Sequence, residues 1–239
     1  MKMRTLLSLS FVAAGVLANA QMLNQIDNGP GSLSDCDQYG ASQISGDAPT
    51  NSSMALADFD STGMTLTGID AVFDFSSAAA ATHVTGWRVS VFGSKAAGFA
   101  SGNNLQNGAL FTGDFSATTS AYAGTSAVGA APTLVSIALP NWAVAAGVKW
   151  IGVSAILNGG SNFEQAFVLK NSNPLSTGGG AANNDVDVQP GDAFGFGGPI
   201  EIDTAAANAA YRLTAVPEPA TMIALGAGLA ALARRRRNK

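Results

Sequence analysis

The 239-residue chain is poor in several residue types, and each shortage excludes a class of protein. It has one cysteine and one histidine, too few for an internal disulfide framework or for a zinc site built from these two residues. Charged residues make up only 12% of the chain, which excludes a coiled coil and a highly charged disordered protein. No apolar run reaches the roughly 18 residues typical of a membrane-spanning helix. One globular domain with two specialised ends fits what remains.

Basic residues are scarce in the body of the chain. Residues 21–216 hold five basic residues against 15 acidic ones, a formal charge of −10, whereas the other seven basic residues lie at the two ends. Because an acidic body repels polyanions, we expect no nucleic-acid binding, and the body is poorly suited to anionic lipid surfaces. Polysaccharide, cations or other matrix proteins remain as partners.

The N-terminus has the three parts of a secretory signal peptide. A basic start, Met-Lys-Met-Arg, precedes an apolar run over residues 6–17, and Ala18 and Ala20 supply small residues at positions −3 and −1 of a cleavage site. Twelve apolar residues are too few to cross the ~30 Å hydrocarbon layer, which disfavours a membrane anchor. We therefore predict a signal peptide over residues 1–20, cleaved after Ala20.

The C-terminus also has three parts. A Pro-Glu-Pro segment at 217–219 is followed by an apolar run over 220–233 and a basic tail over 234–239. The two prolines stop strand or helix from continuing across them. A helix over the apolar run rises about 21 Å, short of the ~30 Å hydrocarbon layer, but flanking residues and local thinning of the bilayer cover part of the mismatch. The arginines hold its end in the cytoplasm. This order predicts that the helix contacts the membrane while the body stays outside.

This tripartite terminus resembles the PEP-CTERM sorting signal of exported bacterial proteins. The resemblance rests on the motif Pro217, Glu218 and Pro219, on the apolar helix, and on Arg234, Arg235, Arg236 and Arg237. In that family an integral-membrane transpeptidase, the exosortase, recognises the motif, removes the tail and passes the protein to the cell surface or extracellular matrix. Members often come from bacteria that make exopolysaccharide. The resemblance implies an exosortase substrate that is only transiently anchored, and a permanent tail anchor is the alternative.

The body, residues 21–215, predicts a single all-β domain. Short runs alternate apolar and polar residues between turn-forming segments, over residues 64–75, 83–93, 133–139, 148–157, 163–170 and 209–215. We predict an antiparallel β-sandwich, jelly-roll-like, with an N-terminal signal helix and a C-terminal hydrophobic helix. The order of the blocks, ending in Tyr211-Arg212-Leu213-Thr214, is similar to the β-sandwich ectodomains common among PEP-CTERM proteins. That likeness implies architecture and no activity.

Histidine and cysteine, two residue types common in active sites, each occur once. His83 is the only histidine, and without a Gly-x-Ser-x-Gly elbow we expect it at the surface beside a strand. Cys36 lies between Asp35 and Asp37, whose negative charges disfavour a reactive thiolate. An unreactive thiol is the prediction for Cys36, and pairing with another chain is the alternative.

The acidic residues supply the candidates for a metal site. Asp185, Asp187 and Asp192 flank a turn and carry the oxygen ligands that calcium prefers, although they lack EF-hand spacing. Turn acids in contact with solvent are the alternative, and no other cofactor is predicted.

Aromatic residues supply the candidate for sugar binding. Trp87 and Trp150 sit in strand patterns and are expected in the core, whereas Trp142 precedes a loop and is the candidate for stacking on a glycan.

Three functions follow from these observations. The leading hypothesis is a non-catalytic exported protein of the cell surface or extracellular matrix, sorted through its PEP-CTERM tail. The alternative is a carbohydrate-binding module associated with exopolysaccharide. The third is a polysaccharide-acting hydrolase, which would need two carboxylates flanking a cleft.

Overall fold

Most of the described chain is folded into strands, as its alternating runs predict. The computed structural model describes residues 20–24, 26, 33–40, 42–44, 52–102, 105–123, 131–157, 165–171, 186–189, 200–203, 208–217, 228 and 234–235. The predicted signal helix lies outside these residues except for Ala20. The predicted C-terminal helix lies outside them except for Gly228.

The elements follow one another in this order: β1 (Ala20–Asn24), β2 (Leu33–Gly40), β3 (Ser42–Ile44), β4 (Met54–Ser61), β5 (Met64–Phe75), α1 (Ala78–Thr82), β6 (Val84–Phe92), α2 (Lys95–Phe99), β7 (Ala109–Phe115), β8 (Thr118–Ala121), β9 (Thr133–Val144), β10 (Gly147–Leu157), β11 (Ala166–Asn171), β12 (Val186–Gln189), β13 (Ile200–Asp203), β14 (Asn208–Ala209) and β15 (Tyr211–Pro217).

Within the described ranges these strands form two sheets. The first runs β1-β15-β5-β11-β14, with β9 also paired to β5, β8 to β9 and β2 to β11. The second runs β13-β12-β4-β10-β6-β7, with β3 added beside β10. Apart from the parallel pair of β3 and β10, the pairs described are antiparallel. The prediction of a mainly antiparallel, all-β body is confirmed.

Side chains from both sheets meet in one buried core. On β6, Trp87, Val89 and Val91 are buried together, as their alternation predicts, and β5 of the other sheet contributes Phe73. The rings of Phe73 and Trp87 lie 4.7 Å apart, edge to face. Burial of this apolar surface, at roughly 25 cal/mol per Å², is the main term that stabilises the fold.

The opposite face of the second sheet is covered as well. A smaller buried cluster joins Phe92, Leu105 and Trp150 under α2 and the segment that follows it. Ser94 caps α2 by accepting a hydrogen bond from the Ala97 amide at 3.2 Å. Because this cover lies over β6 and β10, both faces are buried over residues 87–92 of β6 and residues 150–155 of β10.

Strand bounds follow the predictions closely in some places and depart from them in others. The predicted run 64–75 is β5 without change, whereas β9 continues to Val144, beyond the predicted end at 139. The strand Met54–Ser61 was not predicted. Most of its side chains are buried, so it lacks the alternation that marks a half-buried strand.

Candidate functional site

The C-terminal tail leaves the domain from β15, a strand held on both sides. β15 pairs with β1 along one edge and with β5 along the other. Its first residue, Tyr211, is fully buried and reaches the second sheet. The Tyr211 hydroxyl donates to the Ala55 carbonyl oxygen at 3.0 Å and accepts from the Val153 amide at 3.2 Å. The strand that carries the tail is therefore bonded to both sheets.

The next residue of β15 carries an ion pair. Arg212 lies opposite Asp70 of β5, and its Nε donates to Asp70 Oδ2 at 2.8 Å while its Nη2 lies 2.7 Å from the same oxygen. Both side chains are largely buried, with 23% and 18% of their surfaces exposed. Because little solvent surrounds this ion pair, it fixes the register of β15 on β5.

The end of the fold from which the tail emerges is built from two tight turns. Pro217, the last residue of β15, is paired with Met64, which is also paired with Val144. Gly147 is paired with Ser61 in the second sheet. We call this the exit end, comprising turn residues 62–63, turn residues 145–146 and Pro217.

The N-terminal strand starts at the same end. Ala20 is paired with Ala215, two residues before Pro217. The predicted signal cleavage site and the start of the Pro-Glu-Pro segment are thus brought together on neighbouring strands, although 197 positions separate Ala20 from Pro217 in the sequence. Cleavage after Ala20 would leave Gln21–Asn24 as a strand in the mature chain.

The tail itself was compared with known families. Residues 215–237 match the family model of the PEP-CTERM protein-sorting motif. The PEP-CTERM match covers the tail and the last three residues of β15, and it confirms the resemblance drawn from the sequence. A PEP-CTERM motif marks an exported protein that is targeted by an exosortase. No curated protein matches the chain.

The start of the motif has a defined place in the structure. The strand ends at Pro217, as expected for a proline, which cannot donate to a strand ladder. Glu218, Pro219 and Arg236–Lys239 lie outside the described residues, while Arg234 and Arg235 are exposed and helical. In the part of the chain that the structure describes, no helix combines the length and apolarity needed to cross a bilayer.

The calcium candidates are not brought together by the described residues. Asp185 and Asp192 lie outside them, and only the backbone of Asp187, in β12, is placed. Over the ranges that are described, no group of three or more His, Cys, Asp or Glu side chains is arranged to hold a metal ion. Calcium binding at Asp185, Asp187 and Asp192 stays a prediction.

The sequence predicted that Trp142 lies just before an exposed loop, but the residue lies in the core. Its side chain is 8% exposed and stacks on Phe111 at 5.5 Å, with Phe115 edge-on at 5.6 Å. The strand pairing slips between Trp142 and Ala138, and Asn141 has a φ of 57°, which marks a bulge just before Trp142; β9 then continues past Trp142 to Val144. Little of the ring remains for a sugar to stack on. Trp87 and Trp150 are buried, as predicted.

The two single residues have local structural places. His83 follows α1 and donates its backbone N–H to the Ala80 carbonyl oxygen at 3.1 Å, closing the helix. Its side chain is partly exposed and stands directly before β6, as expected. Cys36 is in β2, and its side chain is outside what the structure describes.

Two features could not be read from the sequence. Arg88, on β6, forms a bidentate ion pair with Asp114 on β7, with both N–O distances at 2.6 Å. A hollow of about 410 Å³ opens beside the β7–β8 connection, and its lining includes Phe75, Trp87, Thr85, Ser116, Thr119 and Thr133. Both depend on which strands become neighbours, and no sequence spacing encodes that.

Proposed function

We propose that this chain is a non-catalytic protein of the bacterial cell surface or extracellular matrix, held at the membrane by its C-terminal segment until an exosortase removes it. The observation that carries the proposal is the PEP-CTERM match over residues 215–237. The tail continues directly from a strand of the core, so processing at the motif would release or transfer the whole folded body.

The use of charged side chains supports a structural role for the body. Asp70 pairs with Arg212, Asp114 pairs with Arg88, and Asp74 accepts a hydrogen bond from the Phe75 amide at 2.7 Å. Each of these carboxylates is committed to holding strands or a strand end. The shared core and the Tyr211 contacts likewise support a jelly-roll-like sandwich as the architecture.

The sorting proposal is tested by the mass of the exported protein. In cells with an active exosortase, we expect the intact mass to lack residues 234–239 and part of the preceding helix. In cells without the enzyme, the mass should include the whole tail. A full-length C-terminus on the exported protein in both strains would show a permanent anchor instead.

A second candidate function, glycan binding, is favoured by the hollow beside the β7–β8 connection. Buried Phe75 and Trp87 line it, and three of its hydroxyl residues, Thr85, Ser116 and Thr119, are exposed. Apolar side chains beside a few hydroxyls suit the alternating CH faces and OH groups of a sugar. Exopolysaccharide is the proposed ligand of this hollow.

Filling the hollow tests this candidate. Ser116→Trp would place a large ring in it, whereas Ser120→Trp puts the same ring on an exposed position of β8 that does not line it. We expect retention on immobilised exopolysaccharide to be lost in the first variant and kept in the second. Equal retention of both variants, or no retention of the parent, would rule out this site.

A further inference from the structure

The exit end has an unusual composition for an acidic protein. Ala145, Ala146 and Gly147 are exposed, and Val148 is 48% exposed. Among the described residues, Val148 and Leu110 are the two large hydrophobic side chains classed as exposed. Both lie toward this end. Trp150, two positions from Val148, is paired with Phe92, and Phe92 is paired with Ala109, which precedes Leu110 in the chain.

Charge is sparse at the same end. Lys149 keeps its Nζ close to the turn, donating to the carbonyl oxygens of Ala146 at 3.2 Å and Val148 at 3.3 Å. The neighbouring carboxylate among the described residues is Asp60, which is partly buried and paired in register with Val148. A small apolar tip with a lysine at its rim suits the boundary between lipid headgroups and water.

Chain length decides how close this tip comes to the membrane. The strand ends at Pro217 and the apolar run begins at Ala220, so only Glu218 and Pro219 lie between them. Three residue steps span at most about 11 Å of extended chain. The polar layer of a bilayer is roughly 5–8 Å deep on each side. If the tail enters the hydrocarbon layer at Ala220, the exit end therefore lies at the headgroups, with no gap of bulk water between them.

We propose that the exit end docks on the phospholipid surface while the tail is attached, with Val148 and the 145–146 turn at the headgroup level. This inference rests on the proposed anchoring by the tail and adds an orientation to it. The body's negative charge opposes binding without a tether, so contact requires the tail. The opposite end, which carries α1, then points away from the membrane. The twelve residues of β5 separate the two ends by about 40 Å.

Depth-dependent fluorescence tests the orientation with the full chain in phosphatidylcholine vesicles. In a Cys36→Ser background, an environment-sensitive probe is attached to Val148→Cys, to Ala79→Cys on α1, or to Gly228→Cys in the tail. We expect nitroxide lipids to quench the probe at 148 several-fold more than the probe at 79, and to quench the probe at 228 as well.

A linker variant provides the matched control. Ten Gly and Ser residues inserted between Val216 and Pro217 keep the Pro-Glu-Pro segment but add a mean reach of about 18 Å. Quenching at 148 should fall severalfold while quenching at 228 is unchanged.

The outcomes separate the two proposals. Quenching at 228 without quenching at 148 overturns docking and leaves anchoring intact. No quenching at 228 overturns anchoring, and docking with it. Burial of the 148 probe only in vesicles that contain exosortase would assign this surface to the enzyme and overturn the lipid proposal.

Discussion

The Tyr211 hydroxyl lies 3.0 Å from the carbonyl oxygen of Ala55, across the core from the strand that carries the tail. Tyr211 is fully buried, and the same hydroxyl accepts from the Val153 amide. One phenol thus bonds two neighbouring strands of the opposite sheet. Because the hydroxyl is buried, water does not take its place when it is removed.

Tyr211→Phe should lower the free energy of unfolding by about 1–3 kcal/mol, because it removes this hydroxyl and leaves buried backbone groups without their partner. Urea denaturation measures the change. Tyr122→Phe is the control, since its hydroxyl donates to the Ile26 carbonyl oxygen at 3.3 Å from a partly buried position. Equal losses in the two variants would contradict a special role for Tyr211.

Gly152→Ala should lower the free energy of unfolding by about 1–3 kcal/mol through overpacking. A Cβ at this position in β10 would lie 2.6 Å from the Ala55 carbonyl oxygen and would also meet the Met54 side chain. Thermal or urea unfolding provides the measurement.

Gly86→Ala is the matched control on β6. Its Cβ would meet the Phe115 carbonyl oxygen at 3.5 Å and the Ile156 Cδ1 at 3.6 Å, which are ordinary contacts. It should leave stability unchanged or raise it by up to about 1 kcal/mol, because alanine restricts the unfolded chain. A large loss of stability in Gly86→Ala would show that β6 does not tolerate a side chain at this position, for a reason other than overpacking.

Asp114→Ala should lower the free energy of unfolding by about 1–3 kcal/mol, and the loss should persist in high salt. The Arg88 side chain is only 10% exposed, so removing the carboxylate leaves a nearly buried guanidinium. The Gln106 side-chain amide lies against the same guanidinium, and with its oxygen flipped toward Arg88 it accepts at 3.0–3.2 Å, which compensates in part. Asp60→Ala, at a partly buried position, is the comparison and should change stability by less than about 0.5 kcal/mol.

Signal removal should leave Gln21 at the N-terminus of the exported protein. Ala20→Leu places a bulky residue at position −1 and should block cleavage, so that the precursor accumulates. Asn19→Leu changes position −2, which has no such size limit, and should be processed normally. N-terminal sequencing of the exported protein distinguishes the two, and normal processing of Ala20→Leu would move the predicted site.

Local sequence predicted the strands in which apolar and polar residue types alternate. In β6, Trp87, Val89 and Val91 face the core and alternate with Arg88 and Ser90, which are buried on the other face. It missed Met54–Ser61, because residues 54–57 are apolar on both faces of the strand.

Contacts between distant strands were beyond prediction. Trp142 was predicted just before a loop, yet β9 continues past it, and a bulge at Asn141 places its ring in the core beside Phe111. The tail, in contrast, could be recognised from the sequence alone, because its three parts are contiguous.

The position of β15 between β1 and β5 has a mechanical consequence. A protein attached to the cell surface through the end of this strand bears load at Pro217, along the strand direction. Such a load shears the hydrogen bonds to both neighbours at once instead of opening them one after another, and the Tyr211 bonds to the second sheet lie at the far end of the same strand. The strand that delivers the sorting motif is therefore also built to resist being pulled out of the domain.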